Sequence, residues 1–445
     1  MPALAYAEQV HQDVLMGARG QMEHPLLRRS SWPLLLLLTV FSLLRAYHDL
    51  RPTLVPVRGH RLFYDFQVMV KNLRAYEGTG ELYDTSDPHC FDPTTTSMFK
   101  YPPPHAALLL AIIDLDARTD LPPRQRLHHQ MRPMVILCVT ALAASLALAL
   151  LLLHAGAKRT FLMAAVFLNW QPTWDYLSGP QIEPVLLLLV TISLLLARQR
   201  RGYLSGIPLG IAGALKIYPW ALVAWAAMHQ RWRGILSLFA GAALAFAASR
   251  LFLPGRFSLQ YLTSILPHLG GISSGVENVS AAGFLMRICH GLLDVHTPAT
   301  LRADWPPSVA ALLTLASYVA VLIVLVRVSV RALHKASCSP QKRTPTISLG
   351  IVLCLLLFLV PTSWVGYQTL LVLPLMACIA AAPRPSADPL FWVLLLLVVA
   401  AGSLYGEHRA WTYAVVGFNP LLTWLALLSL LRTGSLEASR RRPSA

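Results

Sequence analysis

The chain is a succession of apolar runs separated by short polar stretches, and most runs read as helices at membrane depth. They fall approximately at 32–50, 102–114, 133–154, 184–197, 203–216, 217–228, 234–253, 308–326, 346–360, 368–382, 389–405 and 412–431. Several are shorter than the roughly 20 residues a helix needs to cross a hydrocarbon core. Two of the short ones open at proline-containing turns, "KYPPP" and "KIYP". Non-helical backbone at membrane depth is tolerated only where protein or a watery cavity covers it, so these breaks predict a cavity. The stretch 155–183 fits this map worst, because it has to begin and end on the outer side, with a half-helix at 160–170.

One segment between the runs is amphipathic. In "FYDFQVMVKNLRAYEGTGELYDT", residues 63–85, Phe66, Met69, Val70, Leu73 and Tyr76 recur at helical spacing, while Gln67, Lys71, Asn72, Arg74 and Glu77 fill the other face. The spacing predicts an interfacial helix lying along the membrane surface. The sequence shows no internal repeat, heptad or low-complexity segment beyond its basic tail, "SRRRPSA".

Composition fixes the class. Of 445 residues, 55% are hydrophobic and only 13% charged, which no water-soluble domain of this size needs. An all-α polytopic membrane protein with roughly 11–13 transmembrane helices is expected. The net charge of +16 would suit nucleic acid, but Lys and Arg come in short clusters between apolar runs, as positive-inside topology requires. With the N-terminus inside, segments 1–31, 115–132, 198–202, 229–233, 327–345, 383–388 and 432–445 become cytoplasmic and hold more than half of the 37 Lys and Arg. The chain then divides into a cytoplasmic segment 1–31, a membrane domain 32–431 and a basic tail 432–445, with outer loops at about 51–101 and 254–307. Arg28 and Arg29 precede "SWPLLLLLTVFSLL" with no small-residue cleavage site after it, so the first run reads as an uncleaved span. The six cysteines (90, 138, 289, 338, 354, 378) have no metal-ligand spacing and read as packing residues. A Cys90–Cys289 disulfide is compatible with both lying outside, though no pattern calls for it.

Ionisable groups at membrane depth cost a few kcal/mol unless paired or hydrated, so each calls for a functional hypothesis. Here they are Asp65, Lys100 beside Tyr101, Glu183, Lys216, Glu277 and Arg287, with Gln181, Asn278, Trp364, Tyr367 and Gln368 nearby. Each has a plain structural reading too. Asp65 is well placed to cap the amphipathic helix, Lys216 and Arg287 to anchor at the interface, and Gln181 and Glu183 to satisfy backbone at a Pro-broken helix start. Asn278 and Ser280 form an Asn-x-Ser sequon, meaningful only in a secretory pathway.

Six stretches occur in order: "YDFQVMVKNLRAYEGTGELYD", "FKYPPPHAALLL", "SGPQIEPVLLLL", "GIPLGIAGALKIYPWALV", "ENVSAAGFLMR" and "PTSWVGYQTLLVLPL". In this order, over residues 32–382, the chain resembles glycosyltransferase family 87, the polyprenyl-phosphate-mannose-dependent alpha-mannosyltransferases. The resemblance implies a GT-C fold and an active site on the extracytoplasmic side of a bacterial plasma membrane. It also implies a lipid-linked sugar donor, no further cofactor, and a lipid or glycan acceptor. It gives Asp65, in the "DF" pair, the catalytic role. Gly179 and Gln181 stand for the family's "GQ" with Pro180 inserted, Lys216 and Pro219 for its "K-x-x-P", Asn278 and Ser280 for its "N-x-S", and Arg287 for the Arg that follows. Substrate-binding candidates are thus Lys216, Arg287, Gln181, Glu183, Asn278, Tyr101, Trp364, Tyr367 and Gln368. One departure stands out: where relatives carry His two residues after Ser-Trp, this chain has Gly366, leaving Tyr367 or Gln368 to take its part.

The chemistry agrees with that reading. Transfer from a polyprenyl-phosphate sugar needs a base for the acceptor hydroxyl and cations for the departing phosphate. Asp65 would be the base in an inverting displacement, and Lys216 and Arg287 would face the phosphate. No Asp, Glu or His cluster with metal spacing occurs, so metal independence is expected. The alternatives are a transporter or flippase for a lipid or small anion, which should show repeat symmetry and midplane charges, and a non-catalytic membrane scaffold.

Overall fold

The computed structural model describes residues 37, 40–44, 47, 64–83, 99–113, 115, 122–178, 181–199, 202–269, 272–273, 278–292, 300–301, 309–337, 344–360, 363, 365–382, 388–404 and 416–440. Among these the fold is helical, apart from a two-residue antiparallel pairing of β1 (Ile272–Ser273) with β2 (Thr300–Leu301), Ile272 opposite Leu301. The helices are α1 (Tyr64–Thr79), α2 (Pro103–Ile112), α3 (Pro123–Leu153), α4 (Ala157–Asn169), α5 (Gln171–Ser178), α6 (Glu183–Arg198), α7 (Gly206–Leu215) and α8 (Val223–Ser249). There follow α9 (Arg256–Gln260), α10 (Ala281–Leu292), α11 (Val309–Ser337), α12 (Thr344–Leu359), α13 (Val372–Ala381), α14 (Pro389–Leu404) and α15 (Asn419–Arg440), with 3₁₀ turns at Tyr218–Leu222 and Val365–Leu371. Among the described residues three stretches, Gln125–Leu153, Trp232–Ser249 and Leu312–His334, are long and apolar enough to cross a membrane, and shorter apolar helices such as α2, α7 and α14 accompany them. This is the all-α membrane fold that composition called for.

Hydrogen bonds between helix ends set the directions. The Cys138 thiol donates to the Gln181 carbonyl (3.1 Å) near the start of α6, and the Arg198 guanidinium, at the end of α6, donates to the Leu152 carbonyl. The second half of α3 therefore runs parallel to α6. Arg159 joins the same end, donating to the carbonyls of Ala380 (2.9 Å) and Ala382 (3.0 Å) at the close of α13. Cationic side chains at helix C-termini satisfy carbonyls left without intrahelical partners.

Two placements change as a result. Residues 155–159 lie with Arg198 and Ala382, not at the far end, so α4 and α5 make the return crossing in two pieces. At the opposite end, the Leu115 carbonyl accepts from both Arg74 of α1 (3.0 Å) and Gln130 of α3 (2.8 Å). Leu115 and Gln130, from a stretch expected inside while α1 lay outside, thus lie at the same end as Arg74 of α1. The cause is the length of α2: its 10 residues rise only about 15 Å, half a bilayer core, so it cannot carry the chain across. Helical backbone also runs unbroken through 229–233, where a loop was expected.

The amphipathic pattern of α1 is present, but its apolar face meets protein. Phe66, Met69, Val70 and Leu73 are buried in the main core, Tyr76 packs edge-on to Phe257 (5.5 Å between ring centroids), and Lys71, Arg74 and Glu77 stay exposed. Between α7 and α8 the backbones touch: a Cβ on Gly206, Gly210 or Gly241 would collide with main-chain atoms of the other helix. Small residues permit such close crossings in membrane helices.

Candidate active site

The polar residues singled out from sequence gather where helices begin, end or break. Lys216 follows the last residue of α7 in an extended conformation (φ −150°, ψ 139°), because Pro219 opens a 3₁₀ turn in place of another helical turn. Its amide still donates to the Ala212 carbonyl (3.0 Å), while its side chain turns toward α6. Glu183 is the first residue of α6 with Pro184 behind it, the position where a proline fits and a carboxylate is favoured by the helix dipole.

These two helix ends meet. The Lys216 ammonium is hydrogen-bonded to Glu183 Oε1 and donates to Gln181 Oε1 (3.2 Å). Lys216 is 4% exposed and Glu183 0%, so this is a buried ion pair rather than an interface anchor. Three tyrosine rings surround the ammonium, with centroids at 4.3 Å (Tyr367), 5.5 Å (Tyr101) and 5.9 Å (Tyr218). Tyr218 and Tyr367 stack at 4.5 Å. Tyr101 lies 4.4 Å from His105, whose Nδ1–H donates to the Leu215 carbonyl (3.2 Å). His105 and Tyr218 escaped sequence reasoning. The available signal was a lone His inside the apolar run "PPPHAALLL" and the aromatic ring inside "KIYP".

Tyr101 also ties this cluster to the outer segment. The Tyr83 hydroxyl donates to the Tyr101 carbonyl (2.8 Å), and burial pushes the Tyr83 phenol far above its ordinary value, so it remains a donor. Gln260 in turn donates to the Tyr83 carbonyl (3.3 Å).

A second group forms around Asn278. Its Oδ1 accepts from the amides of Ser280 (3.2 Å) and Ser363 (2.9 Å), and the Val279 amide donates to the Ser363 carbonyl (2.8 Å). The side chain is fully buried, so the sequon cannot receive a glycan in the folded protein. Arg287 donates to the Asn278 carbonyl (3.0 Å) and borders a shallow depression with Ser280, Phe284, Phe358 and Phe418. Partial burial draws its guanidinium below the usual value while leaving it charged.

The segment 363–371 joins the two groups and is held at both ends. Beyond Ser363, the Gln368 side chain donates to the Val416 carbonyl (2.8 Å) and accepts from Asn419 (3.2 Å), and its carbonyl accepts from Trp170 (2.8 Å). Of the two residues offered in place of the missing imidazole, Gln368 is therefore engaged in the scaffold and Tyr367 faces Lys216. Asp65 is the second residue of α1, two places past the cap position. Its side chain lies outside the described residues, as do Trp364, Glu277 and Cys90. Cys138, Cys289, Cys354 and Cys378 are buried thiols.

The model of glycosyltransferase family 87 matches residues 99–339, more than half of the chain and the part that holds Gln181, Glu183, Lys216, Asn278 and Arg287. No curated protein and no solved structure matches the chain.

Proposed function

Because the chain belongs to glycosyltransferase family 87, and is thus a membrane glycosyltransferase, we propose that it moves a sugar from a polyprenyl-phosphate donor to a lipid or glycan acceptor. The sugar is mannose on the family's pattern, and the reaction faces the non-cytoplasmic side. Asp65 takes the acceptor proton as the acceptor oxygen bonds to the anomeric carbon. The bond to the phosphate oxygen breaks on the opposite side, inverting the centre, and polyprenyl phosphate leaves as an anion that needs no proton. Arg287 stabilises the charge on that phosphate.

The observation that carries this reading is the single-ended site. The Lys216 cluster, the Asn278–Arg287 group and the loop that bears α1 are joined through Tyr83–Tyr101 and through segment 363–371. The opposite end holds Arg159 and Arg198, which donate to the carbonyls of Ala380, Ala382 and Leu152. The positive-inside bias supports a cytoplasmic reading of that end and an extracytoplasmic reading of the site.

The test is transfer of radiolabelled sugar from polyprenyl-phosphate mannose to membrane lipid by wild type, Asp65→Asn and Asp65→Glu. Asn keeps a first-turn side chain of the same shape and forfeits at most about 1 kcal/mol of dipole interaction, so stability should hardly change. Losing a general base lowers the rate on the order of 10² to 10⁴. Asp65→Glu, displaced by about a methylene, should retain little activity. Wild-type turnover in Asp65→Asn would remove Asp65 from the mechanism. Sidedness is checked with Glu77→Cys on exposed α1: labelling by an impermeant maleimide should not require opening the cell.

A further inference from the structure

We propose that the buried Lys216–Glu183 cluster receives the hydroxyl groups of the donor's sugar, and that the donor's phosphate binds elsewhere, at Arg287. The inference rests on the polyprenyl-phosphate reading above and divides its substrate between two places.

Charge comes first. Sequence position alone set Lys216 against the phosphate, but Glu183 neutralises it at hydrogen-bond contact, and Gln181 takes a further proton of the ammonium. An anion entering here would meet a carboxylate as closely as a cation. Arg287, a guanidinium with five N–H donors, gives one to the Asn278 carbonyl and borders a depression lined by Ser280, aromatic rings and apolar groups.

The unmatched atoms decide what kind of ligand fits. Three polar atoms of the cluster have no hydrogen-bond partner among the described residues: Glu183 Oε2, His105 Nε2 and the Tyr218 hydroxyl. Glu183, His105 and Tyr218 are 0%, 1% and 5% exposed, so water does not reach them freely. Glu183 Oε2 is an acceptor only. His105 Nε2 is one as well, because Nδ1 must carry the proton it gives to the Leu215 carbonyl. Two buried acceptors therefore call for two donors. A phosphodiester has none to offer, whereas every sugar hydroxyl both donates and accepts, and the Tyr218 hydroxyl can meet a sugar oxygen from either role. The tyrosine faces complete the match, since the C–H side of a pyranose packs on aromatic rings, and Tyr101 and Tyr367 are the two part-exposed rings through which a ligand would reach Lys216.

The experiment uses the full-length protein in detergent or nanodiscs and two probes, short-chain polyprenyl-phosphate mannose and the same polyprenyl phosphate without sugar. Tyr218→Phe removes one hydroxyl and nothing else. It should weaken the sugar-bearing lipid about fivefold, the worth of one neutral hydrogen bond, and leave the sugar-free lipid within about twofold. Its melting temperature should hold or rise, because the lost hydroxyl had no protein partner. Arg287→Gln should weaken both lipids alike, by tenfold or more. If Tyr218→Phe weakens both lipids equally, or neither, the sugar subsite is wrong while the donor reading stands. If the wild-type protein binds neither lipid, the donor reading fails and the subsite falls with it.

Discussion

Replacing Lys216 and Glu183 singly and together tests whether they are a buried pair in the thermodynamic sense. In Lys216→Met a carboxylate that is 0% exposed is left without its cation, and in Glu183→Leu an ammonium that is 4% exposed is left without its anion. Removing one partner of a buried pair typically costs about 3–5 kcal/mol, because the remaining charge stays desolvated and unmatched. Gln181 and the three rings can solvate a lone ammonium in part, through one hydrogen bond and cation–π contacts, so Glu183→Leu should fall at the lower end. Lys216→Met should fall at the upper end, since nothing described donates to Glu183 Oε2. The double variant removes both charges and fills the space with apolar atoms, so its loss should be no larger than that of the milder single variant. The coupling between the sites is then several kcal/mol, read from reversible unfolding in mixed micelles as a double-mutant cycle. Sugar transfer measured on the same samples should be abolished in all three. Additive losses, with the double variant as unstable as the two singles combined, would show that the charges do not neutralise each other and would undo the reassignment of Lys216 away from phosphate.

Other outcomes follow from individual contacts. Arg287→Ala should raise the transfer barrier by roughly 2–4 kcal/mol, with Arg287→Lys recovering only part because the guanidinium fork is lost; unchanged turnover in both would return Arg287 to a structural role. Gly210→Val sets a side chain where the Leu238 carbonyl already is, so α7 and α8 must separate, at a cost of about 1–3 kcal/mol or more in melting experiments; wild-type stability would refute the close crossing. Tyr83 has its phenol value raised by burial, so the folded state holds a proton that the unfolded state releases above about pH 10. Stability should therefore fall as pH rises past that value, by up to about 1.4 kcal/mol per unit for this group, and Tyr83→Phe should flatten the slope.

Much of this site was legible one residue at a time. Glu183 before proline, Lys216 before "IYP" and Arg287 near a sequon are ionisable groups in apolar surroundings, and the cost of that placement alone marks them. What pairs with what was not legible, because Glu183 and Lys216 are separated by the whole of α6 and by α7, which returns, and single positions carry no distance. His105 was passed over since one imidazole in an apolar helix reads as packing until its second nitrogen is seen without a partner. The map of sides erred for a definite reason. Counting basic residues treats each apolar run as a crossing, yet α2 is too short to cross, and Arg159 and Arg198 serve helix carbonyls as well as topology. Family membership, finally, decides for a transferase over a carrier or a scaffold, which periodicity and charge had left open.

The stretch from Ser363 to Gln368 is pinned by its backbone to Asn278 at one end and by its side chain to Val416 and Asn419 at the other. Divergence has room between those pins. Substitutions at positions 364 to 367 leave those pins in place, and Tyr367 among them faces Lys216. Exchanging Tyr367 would alter what surrounds the Lys216 ammonium. Shuffling these four positions in a library, with the pins held constant, is where altered sugar preference should emerge first.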